Sequence, residues 1–166
     1  MEFEAQKLER LFAECFAETY QTALVGGGAE PLYVPSPDPD HKPHEIIYRE
    51  DFFASALHEV AHWCLAGASR RTQEDYGYWY SPDGRNAEQQ VAFEAAESKP
   101  QAIESIFSTA CAFSFQLSAD NLDAGFGPSE RFAEAVERER TRYESDGLPR
   151  RAERFRQALL AEFESR

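Results

Sequence analysis

Cysteine, basic residues and long apolar runs are all scarce in this chain. Three cysteines, Cys15, Cys64 and Cys111, stand far apart in 166 residues. The odd count and wide spacing exclude a disulfide framework. Each lies in an apolar helical context, which predicts a buried free thiol suited to a reducing compartment. No apolar run is long enough to span a bilayer. The charged start, MEFEAQKLER, has no basic region followed by an apolar one, so no signal peptide is expected and the protein is read as cytoplasmic. Lys and Arg number 17 against 30 Asp and Glu, a formal net charge of -13. Such a chain is a poor general binder of nucleic acid or anionic membrane, and suits a cationic ligand better. No repeat, low-complexity tract or linker divides it, and a single domain over 1–166 is expected.

Hydrophobic residues make up 42% and aromatics 13%, enough for a folded core. Phe3, Leu8, Leu11, Phe12, Cys15, Phe16 and Tyr20 recur at helical steps, predicting a helix over 1–24 that a turn beginning at Gly26 then ends. Short strands are expected at 31–35 and 46–49, separated by a Pro/Asp loop. Asp51 reads as the N-cap of a helix from Phe52 to Ala66, with Gly67 just beyond its end. Residues 70–86 are aromatic and turn-rich, with a strand candidate at Tyr76–Tyr80 and a β-turn at SPDG. Asn86 caps a helix to Ser98. Pro100 interrupts the pattern, and Ser98 caps a second helix, 99–115. After a connector, 116–128, Ser129 opens a polar helix to about Ser145, and a last helix covers 150–165. The fold class is α+β, predominantly helical with a small β-sheet.

The helix after Asp51 contains SALHEVAHWC, with the pattern H-E-x-x-H. Residues four apart share a helix face, so His58 and His62 can bind one metal ion through both rings. Glu59 lies one position round, within reach of a metal-bound water. The chain has only four histidines, and this pair sits among the apolar residues Leu57, Val60, Ala61 and Leu65. A third ligand is expected from QVAFEAAESKPQ, where Glu94 and Glu97 lie three apart on one face. Glu97 is favoured, with Glu94 as its partner or its alternative. His41 and His44, in the Pro/Asp loop, read as exposed. Two histidines and a carboxylate suit zinc, giving a hydrolase with Glu59 as base, or ferrous iron, giving an oxygen-activating enzyme. A non-catalytic zinc module is disfavoured, since structural zinc sites close with four protein ligands.

Several stretches come in a fixed order: EPLYVP (30–35), ASALHEVAHWCLAG (54–67), RR (70–71), DYGYWYSPDGR (75–85), FEAAESKPQA (93–102) and DNL (120–122). Together they resemble the bacterial elongation factor P hydroxylase family over nearly the whole chain. The resemblance implies a fold similar to H-E-x-x-H metallopeptidases but a different chemistry. That chemistry is oxygen-dependent hydroxylation, at a non-haem metal centre, of the elongation factor P lysine already extended by a β-lysyl group. The family's ligands fall on His58, His62 and Glu97. The metal is expected to be Fe(II), although zinc or another metal can occupy such a site on purification. The partners are β-lysylated elongation factor P and oxygen, with no nucleic acid or membrane. The extended lysine is long and cationic. Glu59, Glu94, Asp75 and Asp83 could bind its ammonium groups, and Tyr76, Tyr78, Trp79 and Tyr80 could line a channel through cation–π contact. Arg70, Arg71 and Arg85 could meet the partner protein's acidic surface. The alternative reading is a small cytoplasmic zinc peptidase with Glu59 as general base.

Overall fold

Periodic apolar side chains build the first element. In the computed structural model, which describes residues 3–75, 86–118 and 129–164, helix α1 (Ala5–Tyr20) buries Leu8, Leu11, Phe12, Cys15 and Phe16 along one stripe. It stops four residues before the expected end. Gln21 takes a left-handed conformation (φ 49°) and its N–H closes on the Ala17 carbonyl. Strand β1 (Thr22–Gly28) follows at once and runs through the glycines expected to open a turn. Close packing explains the correction. A Cβ on Gly26 would lie 2.7 Å from the Glu50 carbonyl oxygen, and one on Gly28 would lie 2.7 Å from the Ile47 side chain. These glycines let two backbones approach each other, and the register shifts between Val25 and Gly28.

Strands β2 (Leu32–Val34) and β3 (His44–Arg49) complete a three-stranded sheet of order β1-β3-β2. The central strand β3 is parallel to β1 and antiparallel to β2. Helix α2 (Phe53–Leu65) then crosses this sheet against β3. Asp51 is not its cap. The N-cap is Phe52, without a side-chain hydrogen bond, so the helix is held by its buried face of Phe53, Ala56, Leu57, Val60, Ala61 and Cys64.

The two helices expected either side of Pro100 are one. Helix α3 (Ala87–Cys111) is continuous over 25 residues with Pro100 inside it. Proline removes one backbone donor and crowds the preceding turn. Here the flanking turns are held by tertiary burial: Ser98, Gln101, Ala102, Ile103, Ile106 and Phe107 are all buried. Helices α4 (Glu130–Asp146, capped by the Ser129 side chain) and α5 (Arg150–Glu164) pack on α3, as α1 packs on β1. An aromatic cluster fills the space between α1, α2, α3 and α5. Phe12 and Phe16 each lie 5.0 Å from Trp63, and Phe107 lies 5.2 Å from Phe155. Burying each such ring contributes about 2–3 kcal/mol. The fold is thus α+β and mostly helical with a small mixed sheet, as the sequence predicts. No helix among the described residues is long and apolar enough to cross a membrane.

Candidate metal centre

One turn of α2 separates His58 from His62, and the rings meet edge to face with centroids 4.7 Å apart. Their Nε2 atoms are 3.2 Å apart. From the facing helix α3, Glu97 brings Oε2 to 2.7 Å from His62 Nε2 and Oε1 to 3.3 Å from His58 Nε2. Donors held about 2.1 Å from one centre, at angles between octahedral and tetrahedral, lie roughly 3.0–3.4 Å from one another. The 3.2 and 3.3 Å separations fit such a centre, the 2.7 Å contact is a hydrogen-bond distance that a bound ion would open slightly, and the cluster suits a divalent metal ion.

Behind the cluster, α3 supplies its supports. Glu104, one heptad beyond Glu97, is buried and lies 2.6 Å from His58 Nδ1. An Nδ1–H donated to Glu104 leaves the Nε2 lone pair free for a metal. Gln101, between the two glutamates, donates to Glu97 Oε1 at 3.1 Å and to the Ser118 carbonyl at 2.6 Å. Its own carbonyl accepts the Ser118 N–H. The electrostatics follow from this geometry. Burial opposes a charged His58, but Glu104 and Glu97 outweigh it and raise its pKa well above the ordinary value. Burial likewise opposes a charged Glu97, yet His62 and His58 hold its carboxyl well below the usual range. The site therefore stabilises positive charge at its centre, which a bound cation would supply in place of protons.

Glu59 stands beside this cluster. Burial raises its pKa, an effect the two histidines reduce and Glu97 and Glu104 reinforce. With His62, Tyr33, Arg70, Arg71 and Asp75 it lines a cavity of about 30 Å³, room for about two water-sized molecules. Asp75 is placed there by a backbone bridge to Tyr33 and is paired with Arg70. The C-terminal end of α2 is tied down by two arginines. Arg151, on α5, donates to the Trp63 and Ala66 carbonyls, both at 2.6 Å, and lies over the Trp63 ring. Arg71 donates to the same Ala66 carbonyl.

Not every residue singled out from the sequence reaches the cluster. Glu94 is buried on α3, but its carboxylate accepts from the Ser129 hydroxyl and from Arg131, anchoring the start of α4. His41 is exposed beside Asp38, whereas His44 is half-buried and accepts the Ser36 N–H. Tyr78, Tyr80 and Arg85, with Tyr76, Trp79 and Asp83, lie outside the described residues. The sequence reading missed Glu104, Gln101, Tyr33 and Arg151. A heptad step from Glu97 was the available signal for Glu104, but a break at Pro100 hides it.

Comparison with known proteins converges on one description. The family model for elongation factor P hydroxylase matches residues 11–166. The elongation factor P lysine hydroxylase of Haemophilus influenzae is 48% identical over 162 residues, covering 97% of this chain and 90% of the relative.

Proposed function

The chain belongs to the elongation factor P hydroxylase family, and from that premise we propose that its His58–His62–Glu97 centre holds ferrous iron and serves to hydroxylate the lysine that already carries a β-lysyl group. The chain is a metal- and oxygen-dependent enzyme acting on a lysine of elongation factor P. The observation that carries the finer reading is the donor set: two histidines and one carboxylate on facing helices, with no fourth protein ligand among the described residues.

Ferrous iron, when bound there, supplies the oxygen activation that a C–H hydroxylation needs. The protein's own residues set the stage. Glu104 holds the Nδ1 proton of His58 and Gln101 fixes the plane of Glu97, so the three donors keep their mutual geometry without reorganising. Glu59 and Asp75 place carboxyl groups on the wall of the adjoining cavity. An ammonium arriving there meets the half-buried Glu59 carboxyl, whose ionisation it favours. Glu59 then orients substrate or water and does not act as a hydrolytic base.

The test is the intact mass of β-lysylated elongation factor P after incubation with the enzyme, ferrous iron, reductant and air. A gain of one oxygen atom, absent with His58→Ala and without oxygen, is expected; no gain with metal demonstrably bound would refute the reading. Glu59→Gln addresses the peptidase alternative that H-E-x-x-H raises. It should weaken hydroxylation only in part, and complete loss at normal metal content would overturn the role given to Glu59.

A further inference from the structure

Tyr33 and Arg71 form part of the wall of the cavity beside Glu59 and His62, and both also line a second, larger cavity of about 350 Å³. That volume is in the range of small-ligand sites. Its chemistry differs sharply from that of its neighbour. The chain carries 30 acidic residues, yet none of those described lines this space. What lines it, besides Tyr33 and Tyr20, is Arg71, His44, Ser36 and Thr72.

The donors are organised. His44 Nδ1 accepts the Ser36 backbone N–H at 2.8 Å, so the neutral ring must carry its proton on Nε2 and is a donor there. Arg71 is half-buried. It gives one N–H to the Ala66 carbonyl, lies over the Tyr20 ring at 5.6 Å, and has no carboxylate partner among the described residues. A second guanidinium, Arg151, lies over the same Tyr20 ring, also at 5.6 Å, and is likewise bonded to carbonyls. Two cations thus share one aromatic ring and one carbonyl, and of the two Arg71 lines the hydroxyl-rich pocket. Elsewhere in this acidic molecule Arg10, Arg131, Arg140 and Arg156 each pair with a carboxylate.

We propose that this cavity is an anion-binding site that takes a carboxylate or phosphate group against Arg71 and His44. It is the wrong place for a cationic lysyl tail, which belongs with Glu59 and Asp75 on the other side of Tyr33. The anion has two sources: a small free molecule, or an acidic side chain of the protein substrate. The first source needs nothing from the hydroxylase reading; the second rests on it.

The experiment titrates the full-length protein with succinate and with inorganic phosphate, following the Arg71 Nε–Hε and His44 ring resonances by NMR, with chloride as control. In parallel, the Kd for elongation factor P is measured. Both arms are run on Arg71→Gln and on Ala68→Trp. The latter fills the cavity from an exposed lining position and leaves the Arg71–Ala66 bond in place. A saturable shift with either small anion, abolished at both resonances in Ala68→Trp and at the His44 ring in Arg71→Gln, identifies a free ligand. No such shift, but affinity for elongation factor P weakened about tenfold in both variants, the scale of one lost charge-assisted hydrogen bond, assigns the anion to the partner. The site is refuted if small anions leave both resonances unmoved and both variants bind elongation factor P as the parent does, or if Ala68→Trp binds normally where Arg71→Gln does not. A small-anion shift that persists in a protein unable to hydroxylate would sink the proposed function and leave this site standing.

Discussion

Glu94 and Glu97 are three residues apart on α3 and both are buried, yet they serve different neighbours. Glu97 faces the two histidines; Glu94 faces the start of α4. Spacing alone placed them on one face and could not divide these roles, because three residues of helix rotate a side chain about 300° and the facing elements decide what it meets. Zinc, used as a probe, separates them. Glu97→Ala should lose affinity by well over the roughly 100-fold that an outer-shell change costs, while Glu94→Ala keeps the parent's affinity. The reverse result in a competitive chelator titration would exchange their roles. Glu104→Gln keeps the shape of the side chain and removes its charge. It is expected to weaken zinc binding about 10- to 100-fold and to alter the His58 Nδ1 and Nε2 nitrogen shifts, a signature that loss of packing alone would not produce.

At the scale of elements, α3 shows what a sequence reveals and what it hides. Its start was legible: Asn86 accepts the Gln89 N–H, and the Gln89 side chain returns to the Asn86 N–H. Asn86→Ala removes this box and should cost about 1 kcal/mol in urea unfolding, with the metal site unchanged. Its middle was not legible. Proline disfavours a helix locally, and the burial that overrides it comes from α2, α4 and α5, which local sequence does not report. The consequence was chemical, since only an unbroken helix puts Glu97, Gln101 and Glu104 in phase. The glycines of β1 misled for a related reason. A run of glycine signals a turn or a close approach with equal strength, and here Tyr48, Ile47 and Glu50 decide for approach. By contrast the histidine pair, one turn apart on a helix with an apolar face, needed no tertiary information.

Across the whole molecule, the donors are gathered from α2 and α3 but their supports come from further away. Residues 30–35 bring Tyr33 beside Asp75, and the last helix brings Arg151 to the end of α2. Such long-range partners carry no local periodicity, which is why Tyr33 and Arg151 were invisible in the sequence while α5 itself was plain. Arg151→Met should leave α5 packed through Phe155 and Leu159 while removing two hydrogen bonds from the end of α2, to Trp63 and to Ala66, whose carbonyl keeps Arg71. A loss of about 1.5–3 kcal/mol per charged hydrogen bond is the upper range expected in thermal unfolding. The 88 residues that separate Arg151 from Trp63 also impose an order on biosynthesis. The histidine pair leaves the ribosome first, the glutamates of α3 next, and the clamp on α2 last. Firm retention of a metal is then expected only once the clamp has emerged. Ribosome-bound chains stalled before Arg151 should hold zinc more weakly than released ones, so that incomplete products carry little metal.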